Sequence, residues 1–232
     1  MEAVIFDWGG TLSMWAHVDI EDMWRLAARH IDPAREEEVL RRLIEVEERS
    51  WRRTRTDRRS TRLADLLKEA SDELGTDVAG AVLEEAAGHH LDFWTPHIRH
   101  HPEAVPALTE LRGAGYRIGL LSNTHWPRHF HEHFLERDGL AELIDVRCYT
   151  SDMEFVKPDR RAFEEVLGAL GVTTAVFVGD RRYDDVWGAQ QAGLKAVWVR
   201  NDRTPDDDVT PDGVIDSLAE LPALVAKLTS VS

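Results

Sequence analysis

The chain has 232 residues, 43% of them apolar and 31% charged, a make-up suited to a soluble globular protein with one sizeable core or a core carrying an insertion. Its 43 acidic and 28 basic residues give a formal net charge of −15, which argues against nucleic-acid or anionic-membrane partners. A single cysteine, Cys148, excludes an internal disulfide, and no apolar run approaches the ~20 residues of a bilayer span. With no signal-peptide pattern after Met1-Glu2-Ala3, a cytoplasmic monomer or homodimer is expected.

The first predicted element is a buried strand, AVIFDW (3–8), short, apolar and closed by a glycine pair. From about 15 to 96 the pattern changes to helical spacing: Met23, Trp24, Ala27, Ala28; Val39, Leu40, Leu43, Ile44; Leu63, Leu66, Leu67, Ala70; Val82, Leu83, Ala86. This predicts an all-helical insertion over 15–96, with residues 1–14 and 97–232 forming the other unit. Beyond it, helix and strand alternate. Helices are predicted over 102–115, 127–139, 159–171 and 184–193, and strands over 116–122, 175–180 and 195–199, with a weaker one at 145–150. The segment 201–213 reads as a polar surface loop. The expectation is an α/β fold with a doubly wound, Rossmann-like parallel sheet. In such sheets chemistry sits at the carboxyl ends of the strands, a rule that selects Asp7, Ser122 and Asp180.

Four segments fall at or beside those strand ends: FDWGGTL (6–12), LLSN (120–123), KPD (157–159) and VGDRRYDDVWGAQQAG (178–193). In this order they resemble the four motifs of the haloacid dehalogenase-like hydrolase superfamily, and the helical insertion sits where that family carries an α-helical cap. The resemblance implies a nucleophilic Asp7 that forms an aspartyl intermediate. It implies that Ser122 hydrogen-bonds the transferring group, with Gly10, Thr11 and Asn123 at the substrate, and that Lys157 offsets negative charge. It also implies Mg²⁺ held by Asp7, the Gly9 backbone carbonyl, Asp180 and Asp185. Asp184 is an alternative to Asp185, and the sequence does not choose between them. The implied substrate is a small anionic, phosphorylated metabolite.

One position departs from the family pattern. The phosphatases carry a second aspartate two residues after the nucleophile as general acid and base, a contribution of about 10²–10⁴-fold. Here that residue is Gly9, which keeps a carbonyl but cannot move a proton. The departure leaves other readings open: a metal-independent 2-haloacid dehalogenase, a phosphonoacetaldehyde-hydrolase-like enzyme, or a non-catalytic binding protein. The second would need a Schiff-base lysine in the cap. Lys68 is the one lysine there, on what reads as a solvated helix face.

Two further patterns stand out. Residues 41–62 hold nine arginines against four acids, expected mostly as solvated Glu–Arg pairs with one or two turned to the cleft. Nearby Trp51 is expected in the core of the cap rather than as a substrate platform. Among the histidines, His125 and His17 are candidate replacement acids or bases. His129 and His133 lie one helical turn apart but lack a third ligand, so they are expected on the surface.

Overall fold

A computed structural model describes every residue except Asp77, Asp206, Val231 and Ser232. Asp206 belongs to the predicted loop 201–213 and so lies outside the described residues. Six strands form one parallel sheet: β1 (Ala3–Phe6), β2 (Arg117–Ser122), β3 (Val146–Tyr149), β4 (Ala175–Gly179), β5 (Lys195–Val199) and β6 (Gly213–Ile215), in the spatial order β3-β2-β1-β4-β5-β6. The order reverses direction between β1 and β4, the first two neighbours not joined in sequence on that side. A crevice at such a point is where doubly wound sheets bind ligands.

The sheet is buried on both faces, which is why its strands read as continuous apolar runs. Val4 and Phe6 point into one core with Leu108, Ile118, Leu120 and Val178, while Ala3 and Ile5 point into the other with Phe163, Val166 and Phe177. The covering helices are α5 (Ala104–Gly113), α6 (Arg128–Arg137), α7 (Arg160–Leu170), the short α8 (Gly188–Gln191) and α9 (Leu221–Ser230).

Four helices lie between β1 and α5: α1 (Ile20–Ile31), α2 (Glu36–Asp57), α3 (Leu63–Glu73) and α4 (Gly80–Trp94). Asp19 caps α1 by accepting from the backbone N–H groups of Glu21 and Asp22. The apolar faces meet as the 3.6-residue period requires: Trp24, Ala27 and Ala28 of α1, Val39, Leu40 and Leu43 of α2, and Leu66, Leu67 and Ala70 of α3 are all buried. Val82 and Leu83, predicted for the same core, are only partly covered. The helix α2 ends at Arg58, whose left-handed backbone (φ 60°) turns the chain back toward the sheet. There Val156 N–H bonds the Arg58 carbonyl at 3.0 Å and Leu63 N–H bonds the His125 carbonyl at 2.8 Å.

The predicted helix at 184–193 is different in form. Residues Arg182–Trp187 make a π-helical turn that runs into α8, with Val186 N–H reaching back five residues to the Arg181 carbonyl. Such wide turns recur at functional sites because they re-aim side chains. Strand β6 and helix α9 lie outside the sequence prediction, and residue 213 begins the strand rather than closing a loop.

Candidate active site

Strand pairing places the first two carboxylates together. Phe6 and Val178 are partners across β1 and β4, and Asp7 N–H continues the ladder to the Val178 carbonyl at 2.9 Å. Asp7 and Asp180 therefore leave adjacent strands at the switch point. The π-helical turn brings in Asp185, and one oxygen from each of the three carboxylates lies within 4.8 Å of the others. All three residues are buried. Asp184 lines the same cleft but is not in this cluster.

Lys157, from the loop between β3 and α7, is buried between two of them. Its ammonium donates to Asp7 Oδ1 at 2.6 Å and to Asp185 Oδ1 at 2.7 Å. The other Asp185 oxygen accepts the Arg181 backbone N–H at 2.8 Å. Asn123 fixes the lysine's backbone from both sides: its amide donates to the Lys157 carbonyl at 2.9 Å and accepts the Lys157 N–H at 2.9 Å. The Asn123 side chain, expected at the substrate, is thus committed to positioning Lys157. Burial alone would depress the ammonium, but Asp185 and Asp7 more than offset it and hold Lys157 above the ordinary lysine range.

Asp180 has no such partner. Both of its carboxylate oxygens are buried and without a hydrogen bond among the described residues. Its backbone, by contrast, is clamped, because its carbonyl accepts from Trp198 Nε1 (2.9 Å), Asn201 Nδ2 (2.8 Å) and Thr204 Oγ1 (3.2 Å). Asn201 and Thr204 lie in the stretch predicted as a plain surface loop, so part of that loop supports the site. Burial, reinforced by Asp7 and Asp185, pushes Asp180 up to about 8. Burial pushes Asp7 up to about 6 despite Lys157. A buried carboxylate with both oxygens unmatched is expensive unless a cation meets it. Asp7 and Asp185 share the Lys157 ammonium, while Asp180 feels the neighbouring Arg181 guanidinium but has no cation in contact with its oxygens. A cluster of carboxylate oxygens of this kind suits a hard divalent ion, whose binding would draw off the proton that burial favours on Asp180. The cluster is therefore disposed to hold a metal.

Two glycines make room for this arrangement. Gly10 has φ +84°, and a Cβ there would stand 2.6 Å from Asp180 Oδ2. At Gly179 a Cβ would collide with the Asp185 side chain. Gly9 is the opposite case: it is exposed, its φ is outside the left-handed region, and a Cβ would meet nothing within 4 Å. Ser122 closes β2 and lines the cleft, whereas Thr11 is fully buried with its hydroxyl unpartnered.

A cavity of about 630 Å³ opens over Asp7, between the carboxyl ends of the strands and the helices α2, α3 and α4. Three of the nine arginines line it, Arg52, Arg55 and Arg58, while Arg42, Arg49, Arg53 and Arg59 sit in ion pairs with Glu73, Glu69 and Glu154. Trp51 was expected in the core of the cap. Instead it is 36% exposed, lines the cavity and stacks on His125, with ring centroids 4.1 Å apart. The C-terminal half of α2 borders the cavity, from Glu47 and Trp51 to Arg55. His125 is buried, and burial pushes it down to about 4, so it is neutral at pH 7 and holds no imidazolium proton to give. His17 is exposed and meets Arg203, and His129 and His133 are exposed as expected. Lys68 is 67% exposed and pairs with Asp72 at 2.7 Å, which removes it as a buried Schiff-base lysine.

Sequence reasoning missed one support. Trp8, beside Asp7, donates through Nε1 to His100 Nε2 at 3.0 Å, and His100 Nδ1 meets Asp138 Oδ2 at 2.7 Å. The three residues are too far apart in sequence for spacing to have revealed the chain.

Fold and site together define an α/β hydrolase with its carboxylate cluster at the switch point of a parallel sheet. The chain belongs to the haloacid dehalogenase-like hydrolases, whose sequence pattern matches residues 1–193. It is similar to a glyceraldehyde 3-phosphate phosphatase of Methanopyrus kandleri, 28% identical over 67% of this chain and 69% of that one. It is 35% identical to a phosphoserine phosphatase of Thermus thermophilus, over 52% of this chain but only 49% of that protein's length. Among solved structures, a 2-haloacid dehalogenase from Pseudomonas syringae pv. Tomato matches with TM-score 0.73 and 26% identity over 98% of this chain and 99% of that one. A haloacid dehalogenase-like phosphatase from Thermococcus onnurineus matches with TM-score 0.64 and 25% identity over 97% and 98%. The chain is thus phosphatase-like in sequence relatives and close to both phosphatases and dehalogenases in shape. No described helix is long and apolar enough to cross a membrane.

Proposed function

We propose that this chain is a Mg²⁺-dependent phosphatase acting on a small phosphorylated substrate through Asp7, with residues 15–96 as a cap over the core formed by 1–14 and 97–232. The observation that carries the reading is Asp180, a buried carboxylate with two unmatched oxygens beside Asp7 and Asp185. A dehalogenase that works without a metal has no need of such a group. Asp7, Asp180, Asp185 and the Gly9 carbonyl would hold the ion, which supplies charge neutralisation at the phosphoryl oxygens.

The chain's own residues then divide the work. Lys157, anchored by Asn123, orients the Asp7 carboxylate and offsets its charge. Asp7 attacks phosphorus, the bond to the leaving oxygen breaks, and an aspartyl phosphate remains. Ser122 hydrogen-bonds the transferring group. Water then opens the acyl phosphate, which releases phosphate and restores the carboxylate. Because Gly9 offers no proton and His125 is neutral, the leaving group must depart as a stable anion. Aryl and acyl phosphates meet that condition, and unactivated alkyl phosphates do not.

The reading is tested with p-nitrophenyl phosphate and acetyl phosphate in the presence of Mg²⁺. Turnover is expected on both, and none above an Asp7→Asn control on either would refute it. The structural likeness to a 2-haloacid dehalogenase favours one second reading. Halide release from 2-chloropropionate in EDTA would support that reading against ours.

A further inference from the structure

The cavity over Asp7 is larger and more aromatic than a phosphoryl group or a three-carbon phosphate requires. It encloses about 630 Å³, within the range that holds drug-sized ligands, and a triose phosphate would leave most of it to water. Besides the carboxylates and arginines, its lining includes Trp51, Trp94, Trp126, His90 and His125. These rings fall into two groups that meet where His125 and Trp126 follow one another in the chain. Trp51 stacks on His125 at 4.1 Å and 19°, Trp94 packs on the neighbouring Trp126 at 5.0 Å, and Trp126 Nε1 donates to His90 Nε2 at 3.3 Å. One face of Trp51 is taken by His125, yet the residue stays 36% exposed, so indole surface remains open to the cavity.

A second feature points the same way. Gly9 leaves the leaving oxygen without an acid, so chemistry through Asp7 favours a leaving group that spreads its negative charge, as an aromatic ring does. The wall and the missing acid are separate features of the chain, and a planar aromatic leaving group answers both.

We propose that the cleft contains an aromatic leaving-group subsite, and that the substrate is a phosphate ester of a planar aryl or heteroaryl hydroxyl seated against Trp51 and Trp94. This rests on the reading of Asp7 as the nucleophile. In the step, the Asp7 Oδ–phosphorus bond forms and the phosphorus–O(aryl) bond breaks. The electron pair stays on the aryl oxygen, delocalises into the ring and takes a proton from solvent after release.

The test separates ring recognition from turnover. Affinities of phenylphosphonate and methylphosphonate, neither of which can be hydrolysed at an ester, are measured by calorimetry on the full chain with Mg²⁺. Phenylphosphonate should bind on the order of ten- to a hundredfold more tightly, the usual worth of stacking one ring on an aromatic side chain. Trp51→Ala should remove most of that preference and leave methylphosphonate binding unchanged, and Trp51→Phe should keep part of it. Equal affinity for the two phosphonates, or a preference that survives both Trp51→Ala and Trp94→Ala, would overturn the subsite. In parallel, benzoyl phosphate is compared with acetyl phosphate, two acyl phosphates with similar leaving groups. A lower KM for benzoyl phosphate that Trp51→Ala abolishes supports the subsite. Ring preference in binding without turnover of either acyl phosphate would uphold the subsite and sink the hydrolase reading. Turnover without ring preference would do the reverse.

Discussion

Replacing Gly9 by aspartate should supply the proton that the site lacks. The backbone accepts the change, since Gly9 is exposed, its φ lies outside the left-handed region, and a Cβ would meet no atom within 4 Å. Losing a glycine at such a position is neutral or favourable to folding by about 0.4–1 kcal/mol, through the unfolded chain. The new carboxyl would lie two residues from Asp7, in the field of Asp7, Asp180 and Asp185, and that field raises its affinity for a proton. A raised pKa is what a general acid near neutral pH requires. Positioned acid–base catalysis is worth about 10²–10⁴-fold, equivalent to roughly 3–5 kcal/mol of barrier. The gain must be selective. Glycerol phosphate, an unactivated alkyl ester whose leaving group needs the proton, should gain by at least the lower figure, while p-nitrophenyl phosphate should change little. The assay is kcat for both substrates with Mg²⁺ in the parent and Gly9→Asp proteins. A uniform change on both substrates, or no gain on glycerol phosphate in a variant that still binds Mg²⁺, would refute the argument that Gly9 limits leaving-group protonation.

Further predictions concern the buried charges. Lys157→Met leaves Asp7 and Asp185 without their shared ammonium, so urea denaturation should show a loss of about 3–5 kcal/mol together with loss of turnover. Millimolar Mg²⁺ should raise the thermal midpoint of the parent protein by an amount equivalent to about 2–3 kcal/mol when the ion is near a hundredfold over its Kd. Asp180→Asn should abolish that shift and also stabilise the metal-stripped protein, by removing an unmatched buried carboxylate; a persisting Mg²⁺ shift would argue against the assigned ligand. Acid should destabilise the fold early, because burial pushes His90 and His131 down to about 3 and His125 to about 4. The unfolded chain protonates these histidines below about pH 6.5 while the folded one does not. The histidine contribution is therefore full above pH 6.5 and is lost as pH falls through the window down to about 3–4. The loss amounts to about 2 kcal/mol per histidine by pH 5, opposed over the same range by Asp7 and Asp180, whose raised proton affinity in the fold acts in the other direction. A His131→Phe variant whose thermal midpoint falls as steeply as the parent's between pH 7 and 5 would contradict it.

The aromatic wall and the carboxylate cluster meet at Trp8. Its ring lies 4.6 Å from His131 and 6.1 Å from Trp126, and its Nε1 is tied to His100 and on to Asp138. The residue after Asp7 is thus fixed on two sides. Arg137 holds the Asp138 carboxyl down to about 2, so Asp138 remains an ionised acceptor for His100 throughout the neutral range. Trp8 so held fixes the backbone between Asp7 and Gly9.

The sequence by itself determined the parts that depend on local pattern. Continuous apolar runs marked the strands because a sheet covered on both faces has no solvent side to encode. The 3.6-residue spacing of Trp24, Ala27, Leu43 and Leu66 marked the helical insertion for the complementary reason. Strand ends then exposed Asp7, Ser122 and Asp180, and four ordered segments pointed to the family. Only the tertiary structure decided matters of adjacency. The choice of Asp185 over Asp184 for the cluster follows from a π-helical turn, whose extra residue per turn no periodicity analysis anticipates. Asn123 became a brace for Lys157 because the loops after β2 and β3 meet. Asn201 and Thr204, in a stretch predicted as a surface loop, became part of the site because they reach the Asp180 carbonyl. Trp51 left the expected core because the C-terminal half of α2 borders a cavity shared with residues some 75 positions away. Local pattern records what each segment buries, whereas the site is set by which segments the fold brings side by side.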